Sequence, residues 1–354
     1  VLKLIKGADT ADIDADKLCD IIVRAFAGGN DSVSYDAASG SSEEPDFDKL
    51  HEDICAEVLD AKYDPETQKA TESRVGIEFD ADEAKKLWDK AENGETVKIP
   101  LTVTQPKYTT EQLDKMLFAD KLGSQTTGYA SSTANRATNV ELSAKKINGY
   151  ILNPGETFSY NTVVGKRTAA AGFKSAGAYA GGQVVQEIGG GICQTSSTLY
   201  CAALYANLEI VARDEHGFAV SYVPWGMDAT VSWGGPEFKF KNNREFPIKI
   251  VTKCENRQLT IEIWGTDVDG SYVKMDYSAW TVYDTTYPTV AIGTKAVTYR
   301  CVYDKDDKLI SRTKEANSYY HYHPENIQWP TPSPTPEPSE APAPTEEPTA
   351  AEEP

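Results

Sequence analysis

The sequence has no long apolar run. None of its 354 residues lies in a segment that approaches the roughly 20 apolar residues of a membrane-spanning helix. We therefore predict no membrane span in this sequence. Residues 1–5 lack both an initiator Met and the pattern of a signal peptide. We expect this sequence to be part of a longer precursor, in which a removed signal peptide or amino-terminal anchor would not be visible here.

Basic residues are also scarce. The chain has 35 basic residues against 54 acidic ones, and its formal net charge is −19. Because a protein this acidic repels other polyanions, nucleic acid and anionic membrane surfaces are poor candidates as partners. The composition, with 40% hydrophobic and 25% charged residues, is otherwise ordinary for a soluble globular protein.

Cysteine is rare as well. Six cysteines in a chain of this length are too few for a fold built on disulfides. Cys193 and Cys201 are expected on one helix, roughly 12 Å apart at about 1.5 Å per residue, which is beyond disulfide reach. We therefore expect at least one free thiol, and Cys193 is the first candidate.

Histidine is the other scarce residue, with four copies. His321 and His323 lie close to Glu325, and the three resemble a metal site. Two histidines and one acid beside a proline-rich segment, with no further ligand, are more typical of an exposed strand end. We predict neither a metal site nor a cofactor.

The distribution of residue types predicts an α+β protein in four parts. Residues 1–107 mix short helices and strands, and residues 118–265 are rich in glycine, small residues and aromatics. Residues 266–329 alternate like the strands of a small β module. Residues 330–354 are predicted to be a disordered tail, because the eight prolines and six glutamates from 331 onward cannot form a core.

Several elements follow from capping residues and periodicity. Two amphipathic helices are predicted, from 13–16 to 28–29 and from 79–82 to 93–94, each with an Asp that can cap its start. Another helix is predicted over 48–59 and a strand over 96–103. Further strands are predicted over 237–241, 247–251, 259–263 and 297–303. No Cys/His cluster or acid pair stands out in residues 1–107, which favours a binding or spacer module.

The densest group of residues that could carry chemistry is 189–200. Its three glycines allow backbone conformations closed to other residues and the close approach of a ligand. Cys193 follows at or just before a helix start, where unpaired N–H groups and the helix dipole favour a thiolate. The alternative is a small buried thiol beneath a tight turn. The predicted ligand-binding residues here are Gly189, Gly190, Gly191, Gln194 and Ser196.

A nucleophilic cysteine needs a base, and His216 is the histidine of the same region. It precedes a predicted strand over 218–223, so the chain order is that of papain-like and NlpC-type cysteine peptidases. Asp228 could orient the imidazole. The alternative is a histidine in a surface turn. Tyr222 and Trp233 are predicted to contact the ligand, although core packing explains aromatics equally well.

The central residues closely resemble the VanW domain. The matching segments are 122–124, 126–127, 153–159, 189–200, 220–224 and 228–236. The glycine–cysteine–glutamine motif of the family corresponds to 189–194, and a family histidine corresponds to His216. A second family histidine stands two positions earlier, where this chain has Asp214. Residues 60–106 resemble the peptidoglycan-binding module that often precedes VanW domains, and 293–329 resemble a G5-like β tail.

The resemblance implies a place and a partner. It implies the cell envelope of Gram-positive-type bacteria, with the protein secreted, at the cell surface or membrane-anchored, and with peptidoglycan or its precursor peptides as the partner. Three functions are compatible with this place. The first is peptidoglycan binding, of the type associated with vancomycin-resistance clusters. The second is catalysis by an enzyme, and the third is a non-catalytic wall scaffold.

The second hypothesis is an enzyme. Cys193 would attack an amide of a peptidoglycan stem peptide, as an amidase or a transpeptidase, with His216 as the base and Asp228 orienting it. Backbone N–H groups near Cys193 would stabilise the oxyanion. A meeting of Cys193 and His216 in an open cleft would favour this hypothesis.

Overall fold

The computed structural model describes residues 1–6, 11–12, 14–27, 33, 38–39, 44–180 and 183–330. The predicted tail lies outside the described residues, apart from Pro330. The described part consists of helices and small antiparallel sheets, which confirms the α+β class. No helix in these ranges is long and apolar enough to cross a membrane.

The amino-terminal part has a core of its own, where three helices pack around Ile22, Ile54 and Trp88. Its elements are β1 (Leu2–Ile5), β2 (Ala11–Asp12), α1 (Ala15–Ala27), β3 (Ala38–Ser39), α2 (Phe47–Ile54), β4 (Tyr63–Asp64), β5 (Lys69–Ala70), β6 (Gly76–Glu78), α3 (Ala81–Lys90), β7 (Thr96–Ile99) and β8 (Thr102–Thr104). As predicted, an aspartate caps a helix start: the Asp80 carboxylate accepts the backbone N–H of Glu83 at 2.9 Å.

Two predictions for this part are wrong in detail. The helix predicted over 48–59 ends at Ile54, because the chain turns there so that Ala56 can pair with Ile77. As a result, Val58 and Leu59 are exposed rather than on the packed side. The single strand predicted over 96–103 is two strands separated at Pro100, which has no N–H for a sheet ladder. β7 pairs with β1, and β8 pairs with β6.

The central part contains two larger antiparallel sheets, with strand orders β10-β16-β17-β9 and β11-β15-β14, and a two-stranded hairpin of β12 and β13 that precedes α7. Its elements are α4 (Thr110–Met116), β9 (Asp120–Gly128), α5 (Ala134–Ile147), β10 (Ile151–Leu152), β11 (Thr157–Ser159), α6 (Tyr160–Val164), β12 (Ser175–Ala180), β13 (Gln183–Ile188), α7 (Ile192–Tyr205), β14 (Glu209–Ala212), β15 (Lys239–Lys241), β16 (Ile248–Glu255) and β17 (Gln258–Gly265). The strands predicted over 237–241, 247–251 and 259–263 correspond to β15, β16 and β17. The strand predicted over 218–223 is wrong, because those residues form no sheet ladder.

Helix α7 is the centre of this part. It packs against β9 and β17 on one side and α5 on another, and nearly all of its residues are buried. β9 approaches so closely at Gly123 that a Cβ there would lie 2.3 Å from the carbonyl oxygen of Ala202. Since Cys193 is the second residue of this helix, the packing of α7 fixes the position of the thiol.

The carboxyl-terminal part is a three-stranded antiparallel sheet of β18 (Tyr272–Tyr283), β19 (Ala291–Tyr303) and β20 (Leu309–His321). It is joined to the central part by Arg300, whose Nη1 donates to the carbonyl oxygen of Leu208 at 2.7 Å. The side chain of Arg300 also pairs with Glu315 at 2.9 Å. The β structure predicted for this part is therefore present, and the sheet lies against the domain that carries Cys193.

Candidate active site

The glycine segment before Cys193 is shaped by close packing. Gly189 and Gly191 have φ angles of 95° and 105°, in the region that favours glycine, and Gly191 is the residue before α7. A Cβ on Gly190 would lie 2.5 Å from the carbonyl oxygen of Ala176, on strand β12. Protein atoms fill the space beside Gly190, and the predicted need for unusual backbone conformations is confirmed at Gly189 and Gly191. The contact of the three glycines with a ligand stays a prediction.

The two outer glycines pack against arginine side chains. A Cβ on Gly189 would lie 3.0 Å from the Cβ and Cγ atoms of Arg167, and a Cβ on Gly191 would lie 2.6 Å from the Cγ of Arg136. The glycines therefore allow two arginine stems to lie against the backbone that leads to Cys193.

Replacing Gly190 with alanine should destabilise the protein by about 1–3 kcal/mol, because the new methyl group would overlap backbone atoms that cannot move freely. The free energy of unfolding, measured in urea, tests this. Gly128→Ala is the matched control, since nothing lies within 4 Å of its Cβ position. Equal stability of the two variants would show that the hairpin before α7 yields to the added methyl group.

Cys193 is the second residue of α7, so the predicted position at a helix start is confirmed. Its sulphur is partly buried, 3.5 Å from the carbonyl oxygen of Val231 and 3.7 Å from the Thr230 hydroxyl. Its backbone N–H makes no hydrogen bond within the described part of the chain, whereas those of Ile192 and Gln194 donate to the preceding turn. A free N–H beside the nucleophile is a donor available to an oxyanion.

His216 is held by Asp228. One carboxylate oxygen, Oδ2, lies 2.6 Å from the imidazole Nδ1 and accepts the backbone N–H of His216 at 2.8 Å. Both side chains are largely buried, with exposed fractions of 13% for His216 and 1% for Asp228. Since Nδ1 faces the carboxylate, Nε2 is the nitrogen left for the Cys193 thiol, and the imidazole lowers the pKa of that thiol. A histidine in a free surface turn does not fit this burial.

The pKa values of Cys193, His216 and Asp228 are shifted as expected for a thiolate–imidazolium pair beside a carboxylate. Burial acts to raise the pKa of the Cys193 thiol, but the hydrogen bond with His216 and its charge bring that pKa below its usual value. Burial opposes protonation of His216, yet Asp228 and Cys193 raise its pKa to about 9. The pKa of Asp228 is about 2, because the effects of His216 and Arg213 outweigh burial. At neutral pH His216 is therefore protonated.

Two further residues of the site were not predicted from the sequence. Arg213 donates from Nη2 to Oδ1 of Asp228 at 2.9 Å and from Nε to the Asp228 carbonyl oxygen at 2.6 Å. The Tyr320 hydroxyl hydrogen-bonds the same Oδ1 and accepts the N–H of Gly226. Arg213 precedes His216 by three positions and could have been considered, whereas Tyr320 is 92 residues from Asp228 and gives no sequence signal.

The predicted ligand-binding polar residues lie beneath the site. Gln194 is buried, and its amide bonds Arg136, Thr127 and the carbonyl oxygen of Gly128. Ser196 is also buried and donates to the carbonyl oxygen of Ala229 at 2.6 Å. Their polar atoms are occupied by protein partners, so both residues support the start of α7. Their contact with a ligand stays a prediction.

The two predicted aromatic contacts differ in position. Tyr222 is half-buried and packs against the central core, close enough to Cys193 for the two to interact electrostatically. Trp233 is 53% exposed, two residues after the carbonyl that contacts the Cys193 sulphur. An exposed indole has its ring face available for contact, and the contact of Trp233 with a ligand stays a prediction.

One group with metal-ligand geometry lies in the amino-terminal part, away from Cys193. The ligand atoms of His51, Cys55 and Glu78 lie within 4.8 Å of one another, and His51 Nε2 is 2.6 Å from the Glu78 carboxylate. No sequence pattern indicates this group, because β6 brings Glu78 from 27 residues away. The ring of His323, considered earlier as a ligand, instead stacks on Phe218 at 4.2 Å.

Comparison with known proteins places the central part in a family. Residues 135–264 match the family model described as VanW like protein. The chain is similar to the uncharacterized protein YoaR of Bacillus subtilis, with 42% identity over 178 residues that cover 50% of this chain and 58% of the relative.

It is also similar to the vancomycin B-type resistance protein VanW of Enterococcus faecalis, with 29% identity over 137 residues that cover 37% of this chain and 49% of the relative. The chain thus spans about half the length of these relatives. No solved structure matches it. The central part of the chain, residues 135–264, is therefore a VanW-like domain.

Proposed function

We propose that this protein is a cysteine-dependent acyl-transfer enzyme of the cell envelope, a hydrolase or transpeptidase acting on peptides of the wall. The observation that carries the proposal is the buried triad, in which Asp228 holds a protonated His216 against the Cys193 thiol. Passive structural cysteines are neutral thiols, and burial raises the pKa of Cys201 in the same helix.

The proposed reaction uses these groups in sequence. The Cys193 thiolate attacks the carbonyl carbon of an amide, and the unpaired N–H of Cys193 donates to the oxyanion that forms. The imidazolium of His216 then gives its proton to the departing amine, which leaves an acyl-enzyme. Water or a second amine attacks the thioester while His216 takes up a proton, which restores the thiolate. Water as acceptor gives hydrolysis, and an amine gives transpeptidation.

The envelope and the peptide substrate are supported by other observations. One relative is named a vancomycin B-type resistance protein, which associates that protein with the target of a wall-directed antibiotic. The acidic charge and the segment from 331 onward are typical of proteins outside the cytoplasm. We propose that residues 1–107 contribute to binding peptidoglycan and that the central part acts on its stem peptides.

Incubation of the protein with purified, teichoic-acid-free peptidoglycan and with soluble stem peptides tests this proposal. Mass spectrometry should detect cleaved or exchanged peptides and a peptide thioester on Cys193. Cys193→Ala should abolish both, whereas Cys254→Ala, which alters a thiol outside the site, should leave them unchanged. If the wild type sediments with peptidoglycan but converts nothing, the protein is a wall-binding protein. If it does neither, both the enzyme and the binding function are wrong.

A further inference from the structure

The guanidinium of Arg167 is buried without a hydrogen-bond partner. Nε, Nη1 and Nη2 are all inaccessible, and none donates to an acceptor among the described residues. The stem of the side chain lies against Gly189, and the guanidinium carbon is 5.7 Å from the centre of the Tyr160 ring. The side-chain N–H donors of Arg167, which is permanently charged, are thus buried and have no acceptor among the described residues.

Such an arrangement is costly unless an anion completes it. A buried charge without a partner is strongly destabilising, and a cation–π contact offsets only part of the cost. The carboxylate of Glu237 is within electrostatic reach of Arg167, but its oxygens are engaged elsewhere. They accept hydrogen bonds from the Ser159 hydroxyl and from the backbone N–H groups of Asn161 and Phe238. The described residues therefore supply no acceptor for the guanidinium.

Arg167 lies close to the thiol. The Tyr160 hydroxyl, on the ring that Arg167 faces, donates to the carbonyl oxygen of Ile192, the residue before Cys193, at 3.3 Å. Arg167 and the Cys193 sulphur interact electrostatically. The Glu237 carboxylate is within electrostatic reach of Arg167 but makes no hydrogen bond with the guanidinium, so the N–H groups of Arg167 have no acceptor among the described residues.

A second arginine lies on the other side of the glycine segment. Arg136 packs against Gly191, and its Nη1 donates to Ser132 and to Gln194. The other two guanidinium nitrogens of Arg136 make no hydrogen bond within the described ranges. Two arginines thus flank the thiol in a chain with 54 acidic and 35 basic residues. The local positive charge is opposite to that of the whole protein, which favours an anionic ligand at this point.

We propose that Arg167 binds a carboxylate of the substrate, so that the site selects acyl compounds with a free carboxylate close to the carbonyl that Cys193 attacks. This inference rests on the proposed function of Cys193 and names its substrate class. The planar guanidinium can donate two parallel hydrogen bonds to a carboxylate, which lysine cannot do. A substrate carboxylate would supply the acceptors that the guanidinium lacks among the described residues.

A pair of alkylating reagents that differ in charge tests the proposal. Iodoacetate and iodoacetamide have nearly the same shape, and with both the thiolate displaces iodide and forms one S–C bond. Arg167→Met should lower the ratio of the iodoacetate rate to the iodoacetamide rate at Cys193 roughly tenfold. Arg167→Lys should restore part of it. Lys166→Met is the matched control, since it removes the neighbouring charge from an exposed side chain and should leave the ratio unchanged.

The outcomes separate this inference from the proposed function. An equal loss of both rates in Arg167→Met would show that Arg167 acts on the thiolate and would overturn the carboxylate site. A Cys193 that neither reagent labels would overturn the proposed function instead. A second measurement is independent of thiol reactivity: in Cys193→Ala, N-acetylglycine should raise the melting temperature and N-acetylglycinamide should not. The shift should vanish when Arg167→Met is added, and a shift that remains would overturn the proposal.

Discussion

Replacing His216 with glutamine should slow the alkylation of Cys193 by iodoacetamide at pH 6 by about a hundredfold or more. The pKa of the thiol is low because of the hydrogen bond with His216 and its charge. Glutamine cannot carry that charge, so burial would dominate and keep the sulphur protonated. Peptide mapping of the labelled protein, across a pH series, measures the rate at Cys193 alone.

The rate of alkylation at Cys193 should depend on pH in a specific way. In the wild type, Cys193 should react below the usual pKa of a thiol, while burial raises the pKa of Cys19, Cys55, Cys201 and Cys254. Any acyl transfer should also weaken above about pH 9, because His216 then loses the proton that the leaving group needs. His321→Gln, at an exposed histidine, is the control. Equal rates in His216→Gln and the wild type would contradict the thiolate–imidazolium pair.

Replacing Asp228 with asparagine should lower the free energy of unfolding by roughly 3–5 kcal/mol. The carboxylate lies between Arg213 and His216 and is 1% exposed. Asparagine has nearly the same shape, so the loss would come from removing the buried negative charge that His216 and Arg213 share and not from a cavity. Denaturation in urea at neutral pH measures this loss.

A surface ion pair provides the control. Asp276 pairs with Arg312 at 2.9 Å, but both side chains are about half exposed, so Asp276→Asn should change little. The pH dependence gives a second criterion. His216 has a raised pKa, so its contribution to wild-type stability is complete below its usual pKa of 6.5 and is lost as the pH rises through about 9. That loss should be smaller in Asp228→Asn. Equal stability of the two variants would show that Asp228 is not needed to hold the site.

The parts of the site that could be predicted are those set by short stretches of sequence. A glycine run followed by a small-residue helix predicts where Cys193 lies, and that position is confirmed. His216 and Asp228 are twelve positions apart with a turn between them, so a contact between the imidazole and the carboxylate could be predicted. Neither inference depends on how distant elements pack.

The strand predicted over 218–223 failed for a physical reason. Its side chains do alternate between exposed and partly buried positions, as in a strand. Periodicity, however, indicates which side chains face the core. It does not indicate whether a neighbouring strand is present to form the backbone hydrogen bonds of a sheet. Arg167 and Tyr320 could not be predicted either, because they enter the site only through tertiary packing.

The hydrogen bond from Tyr320 to Asp228 bears on how this protein can evolve. The family match ends at residue 264, yet the acid of the triad relies on a hydroxyl group contributed by β20. The carboxyl-terminal sheet is thus no freely exchangeable accessory: recombination that replaced it with an unrelated module would leave Asp228 short of one donor. We expect relatives to inherit the two parts together, and a change at the position of Tyr320 to be accompanied by a compensating change beside Asp228.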